Sequence, residues 1–500
     1  MKLMPSTVTL ILIFSFAMIA ISLIIGFVSS KKVTSDKDFF GGTGLFGPVA
    51  VGLASTAGVA SAFAIVGVPG VIYNTGSPMA WWMLSSGAFA LGYMILGKKV
   101  RAMAEVRSIA SLGDLSDARF NNNKLIKGLM SIIVSIACIG YLASQISAGS
   151  ALFGHLLGVD PIIAAIIIFG LLTVYTVIAG EVGGLLTQAF QGFIMVFASL
   201  VMIIMFFKIS GGFGPAAKAV AEAGTVTGTN GVTKELGPKF LSAWGSMKGS
   251  MSFVWMFVPF FGVIAQPAVL VRMYAIKDPR ELPKAALVSG IAHMFVAFLA
   301  VSVAYGVLQM VATGEIQPLE HPDQAIYVFA DKAGAFAQLL VYAAVLAASM
   351  SSASAYLTTT STLLSRDLPK ALGINIKPDK QRNVTRVFMA VMGIIAIFVS
   401  IYNSDLVGIL GAFGYGTLVS AMFPVFLVGM LWERANEKGV LAGLVVSFIL
   451  TLVTLTPFVW PGGLPGYFHV TCISLAVTIF VSLLTPKVSV PEDIRLAMKL

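Results

Sequence analysis

Charged residues are scarce in this 500-residue chain. They make up 11% of it, whereas hydrophobic residues make up 57%, and soluble domains carry roughly a quarter charged residues. A chain with so little charge lacks the solvated surface that several soluble domains would need. Lipid therefore has to cover most of its exterior, and nearly all of the sequence falls into apolar blocks long enough to span a membrane.

Cysteine is almost absent as well, since the chain has only Cys138 and Cys472. The two lie far apart in apolar stretches without CxxC spacing, so neither a disulfide framework nor a cysteine metal site is expected. No Ser/His/Asp, paired-carboxylate or metal constellation occurs, so we do not expect an enzyme. The net charge of +10 comes without an aromatic-basic module suited to nucleic acid, which is therefore not an expected partner.

The apolar blocks predict an all-α membrane protein with about thirteen transmembrane helices, because only helices satisfy the backbone of such long blocks in lipid. The blocks run near 7–29, 43–73, 78–97, 128–157, 161–179, 184–207, 246–271, 285–312, 333–364, 384–402, 406–432, 439–458 and 466–486. The first block is too long, and follows too few basic residues, for a cleaved signal peptide. We expect it to be retained as a span.

The loops differ in charge, and Lys and Arg mark the cytoplasmic side of a membrane protein. With the N-terminus outside, the basic segments near 98–127, 272–284 and 366–386 all fall on the cytoplasmic side. The loop 313–332 then lies outside and is acidic. An odd number of spans places the C-terminus in the cytoplasm, and we expect the chain to lie in the cell (inner) membrane.

Two of the predicted helices are interrupted by Gly and Pro. The second contains Val66–Gly70 (VGVPG), and the seventh contains Val258–Gly262 (VPFFG) followed by Gln266-Pro267. Unwound backbone at membrane depth is tolerated only where it lines a cavity or is buried in protein. Paired broken helices in two halves are typical of inverted-repeat transporters, although kinks that serve packing are the alternative.

The ninth predicted helix has a face of small and hydroxyl side chains. Ala348, Ser351 and Ser352 are spaced i, i+3 and i+4, so they share one helical face. Two hydroxyl oxygens and a carbonyl oxygen there, completed by carbonyl oxygens from a broken helix, would form a cage of hard oxygens suited to Na⁺. Small hydroxyl residues also serve close helix packing, so the face alone leaves both interpretations open.

None of the 22 acidic residues falls in the middle of a predicted span. Carboxylates within the membrane are the usual carriers of proton coupling, so their absence favours an ion held by neutral oxygens. We also expect no buried Arg or Lys clamp. A bound solute would then be recognised by hydroxyl groups and by the positive end of a half-helix.

Motifs along nearly the whole chain resemble the sodium:solute symporter family, which includes carriers of proline, pantothenate, monocarboxylates and sugars. The segments that carry the resemblance are Ser61–Phe63 with Gly67–Gly70, Gly140–Gln145, Thr187–Gly192, Gln266–Pro267 with Arg272–Ala275, Ala348–Asp367, Phe413–Pro424, Trp432–Arg434 and Gly439–Gly443. The resemblance implies a single transporter domain over 1–500. Its five-plus-five inverted-repeat core would cover 43–432, with one helix in front at 7–29 and two behind at 439–486.

The resemblance also implies a sodium site on this chain. Its ligands would be the carbonyl oxygens of Ala57, Ala60 and Ala348 and the hydroxyls of Ser351 and Ser352. Many members carry an aspartate in a Thr-Asp-x-x-Gln motif, where this chain has glutamine at position 188. A second ion site, which would use that carboxylate with the serine at 354 opposite, is therefore not expected, and Na⁺ should be a single coupling ion.

A set of side chains near the helix breaks could bind the solute. They are Ser61, Phe63, Tyr141, Gln145, Phe260, Phe261, Gln266 and Tyr415. Tyr141 matches a position that resembles a substrate-binding one in the proline carriers. An apolar, aromatic pocket with few amides suits a small, partly apolar solute better than a sugar.

We therefore expect Na⁺-coupled symport of a small carboxylate-bearing solute, such as a monocarboxylate or pantothenate, by alternating access. A proline or other amino-acid symporter is the alternative. A sensor built on a transporter-like domain would need a signalling module, and the tail after Thr485 is too short for one. A passive channel would show a continuous polar pore line, and none is visible. The expected partners are a small-molecule solute and membrane lipid, and the oligomeric state stays open.

Overall fold

The computed structural model describes residues 5–31, 39–40, 42, 44–264, 266–402 and 407–500, so parts of the predicted spans at 43, 265 and 406 lie outside the described residues. The helices of the first part are α1 (Pro5–Ser30), α2 (Pro48–Val59), α3 (Val68–Thr75), α4 (Ser85–Gly92), α5 (Lys98–Val106), α6 (Leu112–Arg119), α7 (Lys124–Leu157), α8 (Pro161–Ser210) and α9 (Phe213–Ala223). A short hairpin, β1 (Thr225–Thr227) with β2 (Thr233–Glu235), follows α9 and pairs antiparallel.

The second part of the described chain is also helical. Its helices are α10 (Gly249–Ile264), α11 (Pro267–Ala275), α12 (Leu282–Ala312), α13 (Ala325–Ala333), α14 (Ala335–Thr362), α15 (Leu368–Ala371), α16 (Pro378–Tyr402), α17 (Val407–Met422), α18 (Gly429–Leu431), α19 (Glu437–Thr454), α20 (Gly466–Leu484) and α21 (Glu492–Met498). Turns of π-helix join several of them, at Phe63–Gly67, Tyr93–Gly97, Leu363–Asp367 and Phe423–Val428.

The number of membrane spans is close to the prediction without matching it. Within the described residues, 10 helices are long and apolar enough to cross a membrane, or 11 with the bent pair Pro48–Val59 and Phe63–Thr75. The predicted span at 161–179 is a shorter apolar helix that continues into the next span across a kink at Gly180. The predicted span at 78–97 is divided among 3-10, α and π segments. The all-helical membrane architecture is confirmed, and the count of thirteen is not.

The first broken helix interrupts its own hydrogen bonding between Val59 and Phe63, and its two halves bend by 62°. The amide of Ser61 donates to the carbonyl oxygen of Val59 at 2.9 Å. The amide of Ala62 donates to Oε1 of Gln145, on α7, at 3.0 Å. The side chain of Gln145 therefore accepts a hydrogen bond that a backbone carbonyl of the broken helix would otherwise have accepted, and α2 ends there.

This break lies earlier in the chain than the sequence pattern placed it. The segment Val66–Gly70 is helical, and Pro69 lies inside the continuous helical stretch Phe63–Thr75. Proline inside a helix removes a backbone N–H donor, and its ring crowds the preceding turn. The π-helical turn Phe63–Gly67 accommodates the chain just before it.

The second broken helix also differs from the prediction in detail. α10 continues through Pro259 and ends at Ile264, and α11 begins at Pro267. Gln266 has an extended backbone, with φ −60° and ψ 135°, and precedes that proline. Of the two prolines in the predicted interruption, only Pro267 stands at a break, where it occupies the first turn of α11.

Helix α14 runs between the two ends of the molecule and is packed against α7, α8 and α2. Its first turns lie beside the loop 313–332, where Gln338 donates to Asp331 at 2.9 Å. Its far end lies beside Ser111, which donates to Asp367 at 2.8 Å. We call these two ends the acidic-loop face and the basic-loop face. The position of a residue along α14 therefore indicates how far its neighbours lie from the acidic-loop face and from the basic-loop face.

The hairpin of α19 and α20 packs closely through Gly439 and Gly443. A Cβ atom on Gly443 would lie 2.9 Å from the carbonyl oxygen of Ser474 and would also meet Thr478. Small residues four apart let two membrane helices approach in this way. We expect Gly443→Ala to lower the free energy of unfolding by about 1–3 kcal/mol because the added methyl group overpacks the interface. The unfolding temperature in detergent measures this.

Gly170→Ala is the matched control for that substitution. Gly170 is helical and a Cβ there would meet nothing within 4 Å, so alanine should leave the unfolding temperature unchanged or raise it slightly. An equal fall in the unfolding temperature of both variants would show that the loss of stability does not come from the α19–α20 contact.

Candidate functional site

The hydroxyls of Ser351 and Ser352 lie against the end of α2. Ser351 Oγ donates to the carbonyl oxygen of Ala57 at 2.7 Å and lies 3.0 Å from that of Ala348. Ser352 Oγ is 3.2 Å from the carbonyl oxygens of both Ala57 and Gly58. All of these groups are buried. Four of the five predicted sodium ligands are thus brought together, and Gly58 joins them.

These carbonyl oxygens are available because the helix ends. In a regular helix the amides of Ser61 and Ala62 would donate to Ala57 and Gly58. Both amides point elsewhere, as described above. The serine hydroxyls therefore replace helical donors, as burial requires of backbone carbonyls.

Ala60, the remaining predicted ligand, lies within the break. Its backbone is non-helical, with φ −75° and ψ 78°. The amide of Ala64, which would be its helical partner, donates instead to the carbonyl oxygen of Ser61 at 2.9 Å. The carbonyl of Ala60 is thus also outside the helical ladder, and whether it binds an ion stays a prediction.

Arg272 is buried and only 1% exposed, and the expectation that no buried Arg or Lys clamps the solute stays a prediction. Nη1 of Arg272 lies 3.2 Å from Oε1 of Glu181, which follows the kink at Gly180. Thr358 donates to Oε2 of the same carboxylate at 3.0 Å. The sequence pattern did not reveal this pair, because each residue stands near the end of its predicted span.

The side chain of Gln188 is held on both sides. Arg272 donates to its Oε1, and its Nε2 donates to Ser354 Oγ at 3.0 Å. Ser354 in turn donates to the carbonyl oxygen of Ser351 at 3.0 Å. A chain of polar contacts therefore links the ion pair to the serines that face α2.

Three of the candidate solute-binding residues hold the first break together. Ser61 Oγ and the Tyr141 hydroxyl lie 2.7 Å apart, and that hydroxyl also lies 3.2 Å from the carbonyl oxygen of Val59. Gln145 binds the amide of Ala62. All three side chains are fully buried. The polar groups of these three side chains form hydrogen bonds to one another or to the backbone of the break. These bonds therefore also stabilise the break.

Gln266 and Tyr415 lie beside them, at the second break. The Tyr356 hydroxyl donates to Oε1 of Gln266 at 3.0 Å, whereas its Nε2 has no hydrogen-bond partner within the described chain. The rings of Tyr141 and Tyr356 are 4.6 Å apart, and those of Tyr141 and Tyr415 are 6.3 Å apart. The two helix breaks therefore meet at a group of tyrosines and glutamines.

The phenylalanine candidates are divided between two places. Phe63 is buried, with its ring 5.1 Å from Trp82 and 6.2 Å from Trp255. The rings of Phe260 and Phe261 are 5.1 Å apart, and Phe261 is 38% exposed, with its ring 4.8 Å from that of Phe257. Phe261 therefore lies away from Phe63. The neighbouring tryptophans and Tyr356 were not singled out, because aromatic residues are common throughout these apolar helices.

A large cavity opens at the acidic-loop face. Its volume is about 1000 Å³. Its apolar floor and walls include Val66, Ala148 and Leu152, and its charged rim comes from the loop that follows α12. Ala148 packs against Ala62 in the first break. The cavity thus extends from the acidic-loop face to Ala148, which separates it from the first break.

Two halves that each begin with a broken helix are the architecture of inverted-repeat membrane transporters. This chain has that fold. A Na⁺-coupled sialic acid symporter, solved in a substrate-bound outward-open state, matches with a TM-score of 0.74 at 18% identity, over 96% of this chain and 99% of that chain. A nucleobase-cation-symport-1 family transporter matches with a TM-score of 0.55 at 12% identity, over 92% and 98% of the two chains.

The chain belongs to the sodium:solute symporter family, whose sequence model matches residues 39–447. An osmoregulated proline transporter of Bacillus subtilis is 29% identical over 445 residues, covering 87% of this chain and 86% of the relative. The sodium/pantothenate symporter of Escherichia coli is 27% identical over 433 residues, covering 84% of each. The family resemblance seen in the motifs is confirmed. The family consists of multi-pass membrane transporters of small molecules that use Na⁺ as the coupling ion.

Proposed function

We propose that this chain carries a small carboxylate-bearing solute across the cell membrane together with Na⁺, by alternating access. The observation that carries the proposal is the contact of two serine hydroxyls on α14 with carbonyl oxygens released at the end of α2. In this proposal the N-terminus is outside, the acidic-loop face is the outer face, and the C-terminus is cytoplasmic. The helices before 43 and after 432 flank the repeat core.

The oxygens around Ser351 and Ser352 fit a sodium ion by their chemistry. They are neutral carbonyl and hydroxyl oxygens, which are hard ligands suited to a hard cation. A bound ion would take the carbonyl lone pairs that now accept the serine hydroxyls. Ser351 would still have the carbonyl of Ala348 as an acceptor for its hydroxyl proton, at 3.0 Å. The Ser351 hydroxyl can therefore exchange its bond to Ala57 for an ion and stay hydrogen-bonded.

The contacts of Gln188 support a single sodium ion per cycle. Its carbonyl oxygen is occupied by Arg272 and its amide nitrogen donates to Ser354. An ion between positions 188 and 354 would meet an N–H donor instead of a carboxylate and would lie close to a guanidinium. Both features repel a cation.

The solute would bind between the two breaks, with Phe63, Trp82 and Trp255 on one side and Tyr141 and Gln266 on the other. The unpartnered Nε2 of Gln266 offers a donor to a carboxylate. Phe63, Trp82, Tyr141 and Gln266 are buried, and Trp255 is partly buried. In this proposal the solute reaches them only when the residues between the large cavity and the first break move apart.

Proline or another zwitterion is a second candidate, favoured by the charge of the large cavity. The rim carries Glu315, Asp323 and Asp331, against the single lysine Lys332, which pairs with Glu315. A negative entrance concentrates cations and raises the energy of an organic anion. A solute with both an ammonium group and a carboxylate would pass it more easily than a monocarboxylate.

A thermal-shift panel on the purified protein tests the proposal, with proline, N-acetylproline, pantothenate and lactate, each with Na⁺ and with K⁺. We expect at least one carboxylate to raise the unfolding temperature only when Na⁺ is present. An inward Na⁺ gradient should then drive uptake of that solute into proteoliposomes. N-acetylproline is the matched control for proline, because it keeps the ring and carboxylate and lacks the cationic group.

The outcomes separate the candidates. A Na⁺-dependent shift with proline alone favours the zwitterion, and shifts with lactate or pantothenate favour an organic anion. Uptake that proceeds equally in K⁺ would contradict sodium coupling. No shift with any carboxylate would contradict the solute class.

A further inference from the structure

A small cavity lies at the basic-loop face of the structure, and several side chains in its lining carry oxygen atoms. Its volume is about 20 Å³, and its lining includes Glu181, Asp367, Thr358, Thr362 and Tyr274. A single water-sized species needs at least about 10–15 Å³ of such space. The cavity therefore has room for one water molecule or one small cation.

Two buried oxygens on its wall lack a hydrogen bond within the described residues. They are Oε1 of Glu181 and the hydroxyl of Tyr274, in side chains that are 6% and 0% exposed. Arg272 approaches Oε1 at 3.2 Å without hydrogen-bond geometry, so this oxygen keeps lone pairs for a ligand. Buried polar atoms without partners are costly, and a species bound in the cavity would satisfy both.

The cavity lies further along α14 from the serine cage, in the direction of the basic-loop face. Tyr342 lines the large cavity, Ser351 and Ser352 face α2, and Thr358 lines the small one. At 1.5 Å per residue, Thr358 is about 10 Å beyond Ser351 along the helix. Ser354 lies between them and donates to the carbonyl of Ser351. A cation leaving the cage on this side would pass Ser354 and Gln188 without being held there, because the guanidinium of Arg272 lies close to them.

Polar contacts hold Asp367 on the far wall of the cavity. Its carboxylate accepts from Ser111 Oγ at 2.8 Å and from the amide of Gly113 at 3.1 Å. Arg366 also contacts it at 3.3 Å. These bonds join the π-helical turn that follows α14 to the chain around α6.

We propose that this cavity is a second, transient site for the coupling monovalent cation, with Glu181, Thr358 and Tyr274 supplying its oxygens. The ion occupies it after leaving the serine cage and before release at the basic-loop face. The nearby guanidinium of Arg272 keeps the binding weak, as release requires. The inference rests on the proposed sodium coupling and adds a site that the cage itself does not include.

Two variants test it while preserving the Glu181–Arg272 pair. Thr358→Val and Tyr274→Phe each remove one oxygen and keep the shape of the side chain. In proteoliposomes, the external sodium concentration that half-activates uptake should change less than about twofold. The internal sodium concentration that half-inhibits uptake should rise about tenfold, because the cation loses one of its oxygen ligands. Thr360→Val on the same helix is the control, because Thr360 is buried outside the cavity lining.

Internal inhibition that is unchanged in both variants would overturn the transient site. If wild-type uptake shows no sodium dependence, the proposed function fails instead, so the two failures are distinguishable. For a variant that gives no uptake, binding of radioactive sodium to purified protein decides the question. The wild type should show a weak component that the variant lacks, and identical isotherms would contradict the proposal.

Discussion

Replacing both cage serines, as Ser351→Ala with Ser352→Ala, should remove most of the sodium activation of uptake. Each hydroxyl that binds an ion contributes about 1.5–3 kcal/mol, so losing two raises the half-activating sodium concentration about a hundredfold or more. The measurement is uptake into proteoliposomes as a function of external sodium. We expect the solute concentration for half-maximal uptake to change much less when sodium is saturating.

Ser349→Ala is the matched control for the double variant. Ser349 is buried on the same helix, but it faces α7, where its Oγ would lie 3.7 Å from a Cβ atom on Gly149. Removing this hydroxyl should leave sodium activation unchanged. Sodium activation that survives in the double serine variant would show that the ion binds elsewhere.

The second large effect concerns stability, and we expect it from Arg272→Met. This change leaves the carboxylate of Glu181 buried without its cationic partner, which lies at 3.2 Å in the native structure. Breaking a buried ion pair from one side costs about 3–5 kcal/mol. The unfolding temperature in detergent should fall strongly. Arg280→Met, at an exposed position in the turn just before α12, should change stability by less than about 0.5 kcal/mol.

The double variant Glu181→Gln with Arg272→Met separates the ion pair from the packing of its side chains. With both charges removed, no buried charge is left unpaired, so most of the lost stability should return. Equal instability of the single and double variants would mean that Arg272 stabilises the protein through its other contacts, including the one with Gln188.

Local patterns predicted much of the candidate sodium site. The i, i+3, i+4 spacing of Ala348, Ser351 and Ser352 places them on one helical face whatever surrounds the helix. The family motifs added Ala57 and Ala60. The structure places the serines against Ala57 and also against Gly58, whose carbonyl could not be identified because it depends on where the helix ends.

The helix breaks show why the sequence alone was less accurate there. Gly and Pro mark places where a helix can end, and Pro69 and Pro259 both lie within helical segments. The actual end of α2 depends on Gln145, which belongs to α7 and binds the amide of Ala62. A hydrogen bond between distant parts of the chain decides which carbonyls are released, and no local pattern contains it.

The sequence by itself determined that this protein is helical and lies in a membrane, because the length and apolarity of its blocks leave no other way to satisfy the backbone in lipid. Its motifs also determined the family. Only the tertiary structure decided which oxygens meet at the breaks, that Arg272 is buried against Glu181, and that two cavities lie along α14. Those features depend on side chains from different helices being brought within hydrogen-bonding distance, which sequence spacing along one helix cannot specify.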